Sequence, residues 1–304
     1  MNQSNDYYLI IVGGVMVGAS LVLSLSGRGL RVALIEAHEA QADSQPSYDD
    51  RAIALAYGSR LIFEAIGIWP ALEGLTEPIH GIHVSDRGHF GAIRLHAVDE
   101  RVPALGYVVT ARELGRVLLD QLQRQAAVDV FAPARVVGFD NRRDSVGVEM
   151  ERGGLMTSLR CRMLVAADGG NSMIREQMDV PVVRWEYGQS AIVTNITPTR
   201  AHCNVAYERF TDTGPVALLP MMEQRCAVVW TVRDEQVEQV LQLDDDAFLA
   251  AFQQRFGYRL GRFVRAGRRS AYPLSLLRAR DSVRGRVVII GNAAHTLHPI
   301  AGQG

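Results

Sequence analysis

Gly13-Gly14-Val15-Met16-Val17-Gly18, with Glu36 eighteen residues further on, has the residue types and spacing of a turn that cradles a dinucleotide. The first glycine would make a tight bend, and the last would let a helix lie against the preceding strand. The helix start would then offer free N–H groups and the positive end of its dipole to a pyrophosphate. A carboxylate closing the second strand can accept from both ribose hydroxyls. Val15 occupies the middle position, which is glycine in the G-x-G-x-x-G pattern so that the backbone can approach phosphate without a Cβ. A β-branched residue there predicts crowding of the ligand and strain of ~1–3 kcal/mol.

Two further segments each follow an apolar strand-like run. Asp168-Gly169-Gly170-Asn171-Ser172-Met173-Ile174-Arg175 comes after LVAA. Gly291-Asn292-Ala293-Ala294-His295, then Pro299 and Gly302-Gln303-Gly304, comes after RVVII. Together with the glycine turn, these resemble the D-G-x-x-S-x-x-R and G-D-A-A-H-x-x-x-P-x-x-G-Q-G signatures of the FAD-dependent aromatic hydroxylases, the p-hydroxybenzoate hydroxylase fold. They are spread along essentially the whole chain in that family's order. Arg51-Ala52-Ile53-Ala54-Leu55, His83 through His89, Glu208-Arg209-Phe210 with Gly214-Pro215, and Leu297-His298-Pro299 are similar to the ubiquinone-biosynthesis branch. Asn292 replaces the usual Asp, a change typical of hydroxylases of prenylated methoxyphenols.

The resemblance implies a dinucleotide-binding, Rossmann-like α/β FAD domain interleaved with a mainly antiparallel substrate-binding sheet. It assigns residues 1–75, 101–178 and 272–304 to the first and 76–100 and 179–271 to the second. It implies FAD as cofactor, NAD(P)H as co-substrate, O2 as oxidant and a polyprenyl phenol as substrate, with a ubiquinone-biosynthesis complex as a conceivable setting. Gly13, Gly14, Val15 and Gly18 would face the pyrophosphate and Glu36 the ribose, while Arg51 and Arg112 would lie along the FAD. Asp168 would help organise the flavin, with Arg175 as its structural partner. Gly291 and Asn292 would meet the ribityl chain, and Pro299, Gly302, Gln303 and Gly304 would line the isoalloxazine. The family continues beyond this last signature, so the FAD domain is expected to lack its C-terminal part at Gly304. No residue stands out as a general base.

Other readings of the same residues stay open. Arg175 could be a surface or helix-capping residue, and Arg112 could be structural only. His295 and His298 stand three apart, yet no carboxylate or cysteine accompanies them, so a metal is not expected. A non-catalytic flavin-fold subunit is the alternative from another class. A halogenase would call for a lysine near the flavin, and the chain has no lysine.

The elements that must position these residues are legible from periodicity. Tyr7–Val12 and Arg31–Ile35 read as buried strands around a helix from Met16 to Ser26, the βαβ opening of a doubly wound sheet. Helices are expected from Gly58 to Trp69, from Ala111 to Gln125 and from Asp244 to Phe256, the last capped by Asp244 or Asp245. A hairpin is expected over His83–His96 and a strand pair around Gly153-Gly154. Three runs between Ser190 and Val232 (AIVTNI, PVALLPM and CAVVWTV) read as antiparallel strands. Arg286–Ile290 reads as a buried strand.

Composition sets the outer bounds. A net charge of -1 over 304 residues gives no reason to expect nucleic acid as a partner. The densest basic group, Arg262, Arg265, Arg268 and Arg269, reads as a solvated face. Cys161, Cys203 and Cys226 form no metal or disulfide pattern and are expected in the core. No leader is visible, and no run reaches the ~18 apolar residues of a membrane span. The expectation is a cytoplasmic protein, with peripheral contact at the inner membrane left open.

Overall fold

The computed structural model of the chain describes residues 6–39 and 51–300. The backbone forms two compact units, one of residues 6–39, 111–185 and 276–297, the other of 51–110, 186–275 and 298–300. Residues 51–75 and 101–110, expected with the nucleotide-binding part, cluster with the second unit. Strands Ala52–Ala56, Gly106–Thr110 and Glu77–Ile79 form a three-stranded sheet there. Its Ile79 and Val108 bury against Ala206, Met221 and Ala227.

In the first unit, strands Val287–Ile289, Leu155–Ala166, Tyr7–Val12, Val32–Ile35 and Val128–Phe131 lie side by side and parallel. The near-continuous apolar sequences of Tyr7–Val12, Val32–Ile35 and Val287–Ile289 follow from burial on both faces. The helix Met16–Leu25 joins the first two strands in sequence. Helix Ala111–Gln123 buries Leu114, Val117, Leu118 and Leu122, as the spacing predicts, each worth roughly 1.5–3 kcal/mol when fully removed from water. The strand pair around Gly153-Gly154 is present as Val146–Arg152 and Leu155–Ala166, antiparallel.

In the second unit the three apolar runs become Val182–Pro198, Gly214–Pro220 and Cys226–Arg233. The last pairs antiparallel with both others and so lies between them. Its Val228, Trp230 and Val232, with Ile192, Ile196, Val216 and Leu218, pack onto Phe248, Phe252 and Phe256 of the helix Asp245–Phe256. Asp244 caps that helix, its carboxylate accepting from the Ala247 N–H at 2.8 Å. The expected hairpin is Gly81–Asp86 with Ala92–His96.

Three expectations need correction, and one strand is added. The helix expected from Gly58 to Trp69 spans Tyr57–Ala65 and breaks at Gly67, whose φ of +76° an L-residue rarely adopts; a separate turn, Trp69–Leu72, follows. Cys203 is exposed in a left-handed turn at φ 49°, whereas Cys161 and Cys226 are buried. Of the basic group, Arg269 is no solvated bystander, since it pairs with Asp245 at 3.3 Å and lies 5.0 Å over the Phe248 ring. The strand Val205–Thr211, read only as a motif, pairs parallel with Gly81–Asp86 and antiparallel with Gly214–Pro220. Among the described residues, no helix is long and apolar enough to cross a membrane.

Candidate functional site

Sheet register brings the first unit's motifs together. Ile289 is level with Ala166, Ala166 with Val12, and Val12 with Ile35. Four parallel strands thus end along one line, and the chain leaves that line at Gly291, Asp168, Gly13 and Glu36. The carboxyl ends of parallel strands are where such sheets bind ligands.

Each glycine of the first turn has its own steric reason. Gly13 sits at φ +99°, and a Cβ there would lie 2.3 Å from the Ala167 carbonyl oxygen. A Cβ on Gly18 would lie 1.8 Å from the Gly13 oxygen, so the helix could not approach the turn. Gly14 faces Glu36, whose Cβ would be 3.0 Å from an added Cβ. Val15 is the N-cap of the helix at φ -74° and ψ -167°, ordinary extended backbone. The backbone of Val15 itself is relaxed: the turn places its left-handed residue at Gly13. No side chain caps this helix, so its first N–H groups remain available.

Glu36 is 7% exposed. Its carboxylate accepts from the Gly14 N–H at 2.6 Å and from the His38 N–H at 2.9 Å. These bonds fix the carboxylate at the mouth of the turn, and each oxygen keeps a second lone pair.

Asp168 is half-buried, and its Oδ1 has no hydrogen-bond partner. Burial raises its carboxyl above the ordinary range. The Ser172 hydroxyl, the backbone N–H groups of Asp168 and Ile174, and the charge of Arg175 act in the opposite sense. Arg175 is 2% exposed, so it is neither a surface residue nor a simple cap. It donates to the Ala293 carbonyl at 2.9 Å and to the Gly170 carbonyl at 2.8 Å, tying the second motif to the third. Gly291, at φ +60°, lies where a Cβ would come within 3.1 Å of Val17 in the first helix. Asn292 follows it, exposed, in the turn Gly291–Ala293.

Gly13, Gly14, Val15, Gly18, Glu36, Asp168, Gly291 and Asn292 thus gather at one sheet edge. Arg112, also in this unit, is exposed near the start of helix Ala111–Gln123. Arg51 belongs to the second unit, its guanidinium 4.8 Å over the Tyr272 ring. Pro299 is in the second unit too, as is His298, whose ring meets Tyr187 edge-on at 5.3 Å. Gly302, Gln303 and Gly304 lie outside the described residues. Among the described residues, no group of three or more His, Cys, Asp and Glu gathers as a metal site.

The model of the family described as FAD binding domain matches residues 6–304. The chain belongs to this family. Among relatives of this FAD-binding chain, ubiquinone hydroxylase UbiL of Rhodospirillum rubrum is 36% identical over 297 residues, which are 97% of this chain and 68% of that protein. The 3-demethoxyubiquinol 3-hydroxylase of Escherichia coli is 29% identical over 307 residues, 100% of this chain and 76% of that one. The solved p-nitrophenol 4-monooxygenase PnpA of Pseudomonas putida shares the fold, with a TM-score of 0.80 at 18% identity over 99% of this chain and 76% of that one.

The residues present fit FAD. A tight turn whose Gly13 and Gly18 have no room for a Cβ, an uncapped helix start and a rooted carboxylate suit pyrophosphate and ribose, and the orphaned Asp168 oxygen awaits a donor. Sequence reasoning missed Glu208, whose carboxyl burial pushes up to about 7. The available signal was its place in the Glu208-Arg209-Phe210 motif, which carried no role by itself.

Proposed function

We propose that the protein hydroxylates a polyprenylated phenol in ubiquinone biosynthesis, using NAD(P)H and O2. The observation that carries this is the register line at which all three motifs emerge, in a chain 36% identical to a ubiquinone hydroxylase. When bound, FAD supplies the redox chemistry, taking reducing equivalents from NAD(P)H and delivering one oxygen atom of O2 to the ring.

The chain's own residues bind and orient. The start of helix Met16–Leu25, with Gly13, Gly14, Val15 and Gly18, would receive the pyrophosphate, and Glu36 the ribose hydroxyls. Asn292 beside Gly291 would reach the ribityl chain. Asp168, short of one donor, would accept from the flavin side. Arg51 and Arg112 would lie along the cofactor, and Pro299 through Gly304 would bound the ring system. The backbone of Val15, at φ -74° and ψ -167°, carries no strain that would argue against this reading. Contact with the inner-membrane surface belongs to the same proposal, because a prenyl tail partitions there and the hairpin carries exposed Phe90, Ile93 and Leu95.

The test is the purified full chain loaded with FAD, offered NAD(P)H, isotopically labelled O2 and a prenylated methoxyphenol. Label in the ring supports the reading. Consumption of NAD(P)H that yields only peroxide, whichever phenol is offered, overturns it.

A further inference from the structure

Glu208 stands in a single row of residues that crosses six strands of the second unit. Val193 is opposite Val229, Val229 opposite Ala217, Ala217 opposite Glu208, Glu208 opposite Val84, and Val84 opposite Ile93. Residues directly opposite on paired strands share a face. Their sequence neighbours Ile192, Val228, Trp230, Val216 and Leu218 point the other way, into the core under helix Asp245–Phe256. From Val193 to Val84 the row is half-buried, and at the sheet edge Ile93 is 65% exposed. The adjoining residues of this face, Ala227, Leu219, Ala206 and Ile82, pack with Ile79 and Val108 of the small three-stranded sheet.

One carboxylate therefore sits in the middle of an apolar row. Among the described residues it makes no hydrogen bond and no ion pair, and burial alone accounts for its raised affinity for the proton. Folding gains nothing from this: a leucine or glutamine would fit the same half-buried strand position without desolvating a charge. A group that is costly to the fold and unpartnered within it points to a ligand.

We propose that this row seats the substrate ring and that Glu208 accepts the hydrogen of its phenolic hydroxyl, which rests on the reading of the protein as a phenol hydroxylase. As the ring is activated, the phenolic O–H bond breaks, its electron pair stays on the ring oxygen as phenolate, and the proton forms the carboxyl O–H of Glu208. Phenolate is the more electron-rich ring and the better acceptor of an oxygen atom. Val84 and Ile93 continue the row over two strand spacings, roughly 10 Å, towards the exposed edge. An apolar tail attached to the ring would follow that path.

The experiment compares the affinity of the FAD-loaded chain for two probes, a prenylated methoxyphenol and its methyl ether, which lacks the O–H. Isothermal titration is run on the wild type, Glu208→Leu and Glu208→Gln. The wild type is expected to prefer the phenol by about tenfold or more, the worth of a charge-assisted hydrogen bond. The Leu variant should lose that preference, and the Gln variant, which preserves shape and a neutral acceptor, should keep part of it. FAD affinity should stay unchanged in both. A wild type that binds the ether as tightly as the phenol, or variants that retain the full preference, overturns the role of Glu208 and leaves the hydroxylase reading standing. A wild type that binds neither probe removes the phenol reading and this proposal with it.

Discussion

The guanidinium of Arg175, 2% exposed, donates to the main-chain carbonyl of Ala293 at 2.9 Å across 118 residues of sequence. Its other arm holds Gly170 at 2.8 Å. A charge with its partners is thereby used as a bracket between two motifs that both follow the carboxyl ends of neighbouring parallel strands. Replacing Arg175 by Met leaves two inward carbonyls short of donors and is expected to destabilise the fold by about 2–4 kcal/mol. Lysine should recover little, because a single ammonium cannot span both acceptors as the planar fork does. Denaturant midpoints of the three proteins check this, and a Met variant as stable as the wild type would remove the bracket.

Gly18 and Val15 should respond in opposite ways. A Cβ on Gly18 would meet the Gly13 oxygen at 1.8 Å, so Gly18→Ala is expected to lower stability by several kcal/mol or to prevent folding. Val15 has an extended backbone, so Val15→Gly should relieve no strain and should shift stability by less than about 1 kcal/mol. Thermal unfolding of the two variants without added FAD separates them.

Glu36→Gln should act on both cofactor and fold. Loss of the charged acceptor is expected to weaken FAD several-fold, since such hydrogen bonds are worth ~1.5–3 kcal/mol. Glu36 also accepts from Gly14 and His38, and an amide can offer an oxygen to only one of them. The cofactor-free variant should therefore melt lower than the cofactor-free wild type. Equal melting with weakened FAD would mean that the two internal bonds contribute nothing to folding.

Glu208 predicts a pH signature of stability. Its folded-state carboxyl is pushed up to about 7 by burial, above the ordinary value of 4.5. The folded chain thus holds this proton more tightly than the unfolded chain, so the group's contribution is full below pH about 4.5 and is lost as pH rises to about 7. Its strand neighbours Val84 and Ala217 are apolar and offer the ionised form no counter-charge. Glu208→Gln should match the wild type in acid and melt roughly 2–4 °C higher above pH 7. A gap that stays constant across this range would show that Glu208 is solvated in the folded protein.

The sequence by itself determined the βαβ opening and the helix faces, because these depend on local periods, and its resemblance to the flavin hydroxylases supplied the cofactor. Tyr7–Val12, the Gly13–Gly18 turn and the Leu114, Val117, Leu118 and Leu122 stripe are of this kind. Tertiary structure decided what depends on register between distant strands. Nothing local to Arg175 announces that Ala293 will be its acceptor, and nothing local to Gly13 says that the Ala167 carbonyl will press against it. The strand of Glu208 is hidden for the same reason. Its charged pair, Glu208 and Arg209, obscures the alternation, and only pairing with Val84 on one side and Ala217 on the other shows that the carboxylate lies in an apolar row. Local chemistry is written residue by residue, whereas burial is a property of strands that meet only after the chain has folded.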